Sequence, residues 1–149
     1  MNIIRKGTPL MKYKKYGDCL AVRIDRSEEI VSSLRGVCSR ENIRFASVTG
    51  IGAAGHTVVG LYHVAEKKFV SNTFDGELEM TSLTGSVTEK DGKPYLHLHA
   101  SFAGPDGKAV GGHLVEAVVS GTAEIFLRAV PGAMDRRTDP VTGLNLFDI

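Results

Sequence analysis

Tryptophan is absent from these 149 residues, and cysteine and proline are scarce, at two and five. Two cysteines cannot build the disulfide framework that staples a small secreted domain. Cys19 opens an apolar run and Cys38 lies in a helical pattern, so both are expected to be small buried hydrophobes. No Cys-x-x-Cys pair marks a redox or zinc-finger motif. An excess of one charge is lacking too: 18 Lys and Arg face 17 Asp and Glu, for a net +1. Such balance leaves no electrostatic footprint for a nucleic acid or an anionic membrane. The best local basic cluster, Lys12, Lys14 and Lys15, is expected to be a solvated surface segment. No stretch approaches the roughly 20 apolar residues of a membrane span, and the start of the chain shows no signal-peptide core. The expectation is a cytoplasmic, reduced protein with no membrane partner.

What is present is an ordinary globular mixture, 42% hydrophobic and 23% charged, long enough for one domain over 1–149 with a full core. Residues 1–16 read as an N-terminal arm or edge strand and 131–149 as an irregular C-terminal tail. Between them, 19–24 alternates as a strand. Ser27 fits an N-cap, with Glu28 and Glu29 in a first turn where the helix dipole favours negative charge. Ile30, Val31, Leu34, Val37 and Cys38 recur at helical spacing, so 28–40 is expected to be an amphipathic helix. Strands are expected over 45–49, 57–64, 68–73, 77–87, 95–102, 110–119 and 123–130. They are separated by Gly50, Gly52 and Gly55, by the turn pairs Asp75-Gly76 and Asp91-Gly92, and by Ser120-Gly121. No helix pattern follows the Gly-x-Gly at 50–52, so a phosphate-loop reading fails and close backbone approach explains the glycines better. One helix and seven or eight strands in meander order give an α+β domain with a largely antiparallel sheet, whose edges must be closed or paired between subunits.

Three of the five histidines fall in one stretch, from Tyr95-Leu-His-Leu-His to Gly111-Gly-His113, around a Pro105-Asp-Gly turn. Alternation places His97 and His99 on one strand face. If the hairpin is centred on Asp106, residue 99 opposes 113, and directly opposed side chains share a face with Cβ atoms about 4.5–5.5 Å apart. Three imidazoles then converge. Neutral imidazole is a common metal ligand, and zinc on three protein nitrogens keeps a fourth position for water or substrate. The expected ligand set is His97, His99 and His113; the expected cofactor is a divalent transition metal, zinc first. His63 could add a fourth ligand, and His56 is expected to face solvent. Glu116 should point away from His113 unless a bulge near Gly111-Gly112 turns it, and Glu79 could approach if its strand neighbours the hairpin. No catalytic residue is identified beyond the metal.

Phe74-Asp-Gly-Glu-Leu-Glu-Met-Thr-Ser-Leu-Thr-Gly-Ser-Val, Leu96-His-Leu-His-Ala-Ser, Gly111-Gly-His-Leu and the upstream Val48-Thr-Gly-Ile-Gly-Ala together resemble the plant and prokaryote conserved (PPC) domain family. The resemblance covers most of the chain. It implies a curved, barrel-like antiparallel sheet with one main helix, similar to the acetolactate decarboxylase fold, and a homotrimer. Plant members join this domain to AT-hooks that bind DNA. No Arg-Gly-Arg-Pro hook occurs here, so DNA-binding follows from the family label alone. Two functions are carried forward. One is a trimeric binding or regulatory domain with a three-histidine metal site and a possible small-molecule ligand. The other is a metal-dependent enzyme acting on a small carbonyl or carboxylate compound.

Overall fold

The computed structural model describes residues 12–149; the rest of the expected arm lies outside them. The chain runs β1 (Lys12–Tyr16), β2 (Cys19–Asp25), α1 (Ile30–Arg40), β3 (Ala46–His63), β4 (Lys68–Lys90), β5 (Lys93–Ala103), β6 (Ala109–Ala129), β7 (Arg136–Thr138) and β8 (Asn145–Phe147). The first six strands form one antiparallel sheet in the order β1-β2-β6-β3-β4-β5. It closes on itself because β6 reaches back to β5 with its first residues, pairing His99 with His113 through Ala103 with Ala109. With its last residues, β6 pairs with β2 instead. The result is the curved, barrel-like α+β architecture.

Several expected breaks are crossed by continuous strands. β3 runs through Gly50, Gly52 and Gly55 with two register shifts against β4. The glycines serve contact. A Cβ on Gly50 would lie 2.7 Å from Ile125 Cγ1, and one on Gly52 would lie 2.5 Å from the Thr122 carbonyl oxygen. Asp75-Gly76 does not turn the chain, because β4 passes through it; its Asp75 pairs with His56 on β3. Ser120-Gly121 likewise lies inside β6. Asp91-Gly92 does form the β4–β5 hairpin, both residues having positive φ, +52° and +73°. That backbone matches the right-handed twist of the flanking strands. Length explains these differences. Long strands bend around a barrel at bulges and glycines, and such positions read locally as interruptions.

The helix begins later than expected. Ser27 has φ +72° and does not cap; Glu29 does, its carboxylate accepting from the amides of Val31 and Ser32. The same carboxylate accepts from the Ala117 amide at 3.1 Å, which ties the helix start to β6. Ile30, Leu34, Val37 and Cys38 are buried and join the core of Leu20, Ile24, Val48, Met80, Leu83, Leu98, Phe102, Ile125 and Leu127. Burial pushes the Cys38 thiol up to about 12, as befits an inert hydrophobe. Cys19 is half-buried.

The tail is more ordered than its composition suggests. β7 and β8 pair as a short hairpin, Arg136 opposite Phe147. Met134 anchors its start, donating to the Arg44 carbonyl and accepting from the Glu89 amide at 2.8 Å. Lys12, Lys14 and Lys15 are surface residues, as expected. Lys12 is paired with Asp25, and Lys15 with Glu41.

Candidate metal centre

On β5 the even residues Leu98, Ala100 and Phe102 enter the core. Alternation therefore turns Tyr95, His97 and His99 onto the opposite face. His113 on β6 joins them because it is the direct partner of His99. The three ring centroids are 5.1, 5.4 and 5.6 Å apart, and one nitrogen from each ring lies within 4.8 Å of the others. His97 Nε2 and His99 Nε2 are 3.3 Å apart.

That separation tests whether the residues fit an ion. Two nitrogens each about 2.05 Å from a tetrahedral zinc subtend an N···N distance of about 3.3 Å. Two of the rings, His97 and His113, also stand ready as neutral donors. Partial removal from water lowers the pKa of His97 to about 4, with His113, His99 and Arg136 adding cationic repulsion. Burial lowers that of His113 as well, and neighbouring His99 contributes. A neutral imidazole needs no proton removed before it ligates. The donor set and its spacing fit a transition metal.

Two glycines permit the approach. Gly85 on β4, at φ +157°, packs so closely on β5 that a Cβ would collide with the His97 carbonyl. Gly112, at φ +154°, lies beside the Gly60 backbone, where a Cβ would sit 2.6 Å from the Gly60 oxygen. Side chains there would push apart the strands that bring the rings together.

The other expected candidates go elsewhere. His63 is exposed at the far end of β3, paired with Lys68, outside the cluster. The predicted bulge exists but is displaced. β5–β6 pairing through Gly111 and Gly112 is regular, and the shift falls after Leu114, where Val58 pairs with Glu116 and Val59 with Leu114. It does return Glu116 to the face of His113. There its carboxylate lies 3.8 Å from His56 Nε2, while His56 Nδ1 is 2.6 Å from Asp75. His56 is thus half-buried rather than freely solvent-facing, and its pKa is raised chiefly by the Asp75 hydrogen bond. Glu79 pairs with Ala103, away from the histidines.

The histidines form part of the floor of an open cavity of about 870 Å³. Gly60, Tyr62, Phe69 and Tyr95 continue the lining, and Leu144, Leu146 and Phe147 enter from the tail. Phe69 meets His113 edge-on at 5.6 Å. Arg136 lies between the Tyr95 and Phe147 rings, 4.7 and 4.8 Å from their centroids. These tail residues were not recognised from sequence. A three-residue strand carries no usable periodicity, and an isolated Arg136-Arg137 in a Pro- and Gly-containing segment resembles any solvated loop.

Residues 11–131 match the family described as the Plants and Prokaryotes Conserved (PCC) domain. The chain belongs to this family. A Bacteroides thetaiotaomicron protein with a provisional DNA-binding label is 32% identical, with a TM-score of 0.90 over 93% of this chain and 96% of its own. A plant- and prokaryote-conserved protein from Pyrococcus horikoshii is 30% identical, with a TM-score of 0.82 and coverage of 95% and 96%. A metal-containing protein from Archaeoglobus fulgidus is 31% identical, with a TM-score of 0.82 and coverage of 94% and 99%. The acetolactate decarboxylase of Bacillus subtilis shares the fold at 14% identity, with a TM-score of 0.55 over 87% of this chain and 60% of its own. No curated protein matches the sequence.

Proposed function

We propose that this PCC-family chain is a homotrimeric, cytoplasmic binding domain that holds one divalent metal, zinc first, on His97, His99 and His113. A small molecule takes the metal's open position. The observation that carries this reading is the convergence of three imidazole nitrogens within 4.8 Å on the floor of an open cavity. A structural zinc site is closed by four protein ligands, whereas a site meant for exchange keeps one position free. Here three histidines face a cavity large enough for a ligand. The metal content of the Archaeoglobus relative supports the same reading.

The cavity also favours the metal-dependent enzyme as a second reading, acting on a small carbonyl or carboxylate compound. A bound zinc would supply Lewis-acid polarisation of a carbonyl or lower the pKa of a bound water to about 7. No carboxylate side chain among the described residues lines the cavity. Glu116 is turned toward His56, so a general base of that type is not at hand. Binding is the better supported of the two.

DNA-binding rests on the provisional labels of relatives such as the Bacteroides protein. A net charge of +1 gives it little physical support. Trimer formation has a surface suited to it. Ile51 and Phe126 share the outer face of β3 and β6 and are 60% and 54% exposed, where a partner subunit would cover them.

Zinc titration of metal-free protein tests the site. The reading expects one equivalent per chain, with uptake abolished in the His97→Ala/His99→Ala double variant. Uptake that survives the double change would move the metal elsewhere.

A further inference from the structure

Arg136 has a fork that its own surroundings do not fill. A guanidinium carries five N–H donors. Nε donates to Thr88 Oγ1 at 2.7 Å, one terminal nitrogen to the Asn145 carbonyl at 2.7 Å, and the other to Ser86 Oγ at 3.3 Å. Two donors remain. No carboxylate among the described residues pairs with it, although neighbouring Arg137 is paired with Asp148 at 3.6 Å. Its guanidinium carbon sits over the Tyr95 and Phe147 rings, and these contacts with the three hydrogen bonds restrain it before any ligand arrives.

Register relates this cation to the histidines. Ser86, which accepts from Arg136, is the direct cross-strand partner of His97. Opposed side chains share a face, with Cβ atoms about 4.5–5.5 Å apart. Arg136 therefore lines the same cavity as the histidines, one cross-strand pair from the triad. The remaining lining is mostly aromatic and aliphatic, including Leu61, Phe69, Leu144 and Leu146.

We propose that the cavity is a two-point receptor for a short carboxylic acid bearing a second oxygen donor, as in a 2-oxo or 2-hydroxy acid. Arg136 anchors the carboxylate, and the second oxygen is directed to the metal. The apolar walls accept the acid's hydrocarbon end. Two free N–H groups on one guanidinium match a monocarboxylate, with its single charge and planar oxygen pair. A phosphate would bring up to two charges and three acceptor oxygens to one cation already half engaged. This inference rests on the metal reading for one of its two points only.

The test is calorimetric titration of 2-oxobutanoate into the wild-type chain, zinc-loaded and metal-free, with 2-butanone and inorganic phosphate as comparison probes. Loss of a charge-assisted pair is expected to weaken 2-oxobutanoate about 10- to 100-fold in Arg136→Gln, in both metal states. Arg136→Lys should recover part of this, keeping the charge but not the fork. 2-Butanone should bind both proteins alike. If Arg136→Gln fails to fold, the Arg136 Nε–H resonance of the wild-type protein replaces it, and should shift on adding the acid. Unchanged affinity in folded Arg136→Gln, a motionless Nε–H resonance, no acid binding by wild type, or preference for phosphate would each overturn the anchor. Arg136-dependent acid binding by a chain that takes up no zinc would support the anchor and reject the metal reading.

Discussion

At the scale of single residues, the site depends on imidazoles turned away from the core. His97 and His99 stand on the strand face opposite the core residues Leu98, Ala100 and Phe102, so replacing both should remove the metal and spare the fold. His97→Ala/His99→Ala is expected to melt within a few degrees of metal-free wild type, and calorimetry of the two apo proteins checks it. Collapse of the double variant would instead give the rings a structural role. The depressed His97 pKa has a consequence for acid stability. The unfolded chain takes up a proton near the ordinary 6.5, whereas the folded one resists until about 4. The unfolded state then binds more protons between those values, so stability of the metal-free protein should fall as pH drops from 6.5 to 4. His97→Gln should flatten that dependence in denaturant titrations across this range; an equally steep fall would assign the effect to other groups. The histidine triad was legible in the sequence because strand alternation and a symmetric turn determine facing on their own. Arg136 was not, since its place depends on a hairpin of two three-residue strands.

At the scale of elements, the closeness of β4, β5 and β6 is set by glycine. Gly85→Ala would drive a Cβ into the His97 carbonyl at a positive φ, and both effects oppose the native geometry. A cost of about 2–4 kcal/mol is expected, comparable with other strained or overpacked substitutions. It should come with weakened zinc affinity, measured by competition with a chelator. Gly92→Ala, at a turn with open space around it, should leave zinc affinity unchanged. The helix offers a second case. Glu29 caps α1 and also accepts from Ala117 on β6, so Glu29→Ala should destabilise the chain by about 1–2 kcal/mol in urea unfolding. A change below a few tenths would deny the cap its tertiary role. Helix content and face were readable from the 3.6-residue repeat. The cap was not, because Ser27 fits the usual preference while its backbone is held at φ +72°. Strand boundaries were misplaced for a related reason: local turn signals such as Asp75-Gly76 and Ser120-Gly121 are outvoted by long-range pairing around the barrel.

At the scale of the molecule, closure of β6 onto β5 brings His113 beside His99, while Ile51 and Phe126 stay exposed on the outer face of β3 and β6. If Ile51 and Phe126 meet a partner subunit, Ile51→Asp should convert a trimer to monomers in light scattering, because an unpaired carboxylate cannot be covered without penalty. A trimer that persists would place the interface on another face. DNA-binding by this chain, if real, should appear as a mobility shift that weakens steeply with salt; the charge balance predicts no shift at low salt. All of these readings meet at the three histidines. Elemental analysis of untagged, purified protein is the direct test of whether they hold an ion. One transition-metal ion per chain, lost in His97→Ala/His99→Ala, is the predicted result. A metal-free protein that also refuses added zinc would contradict it.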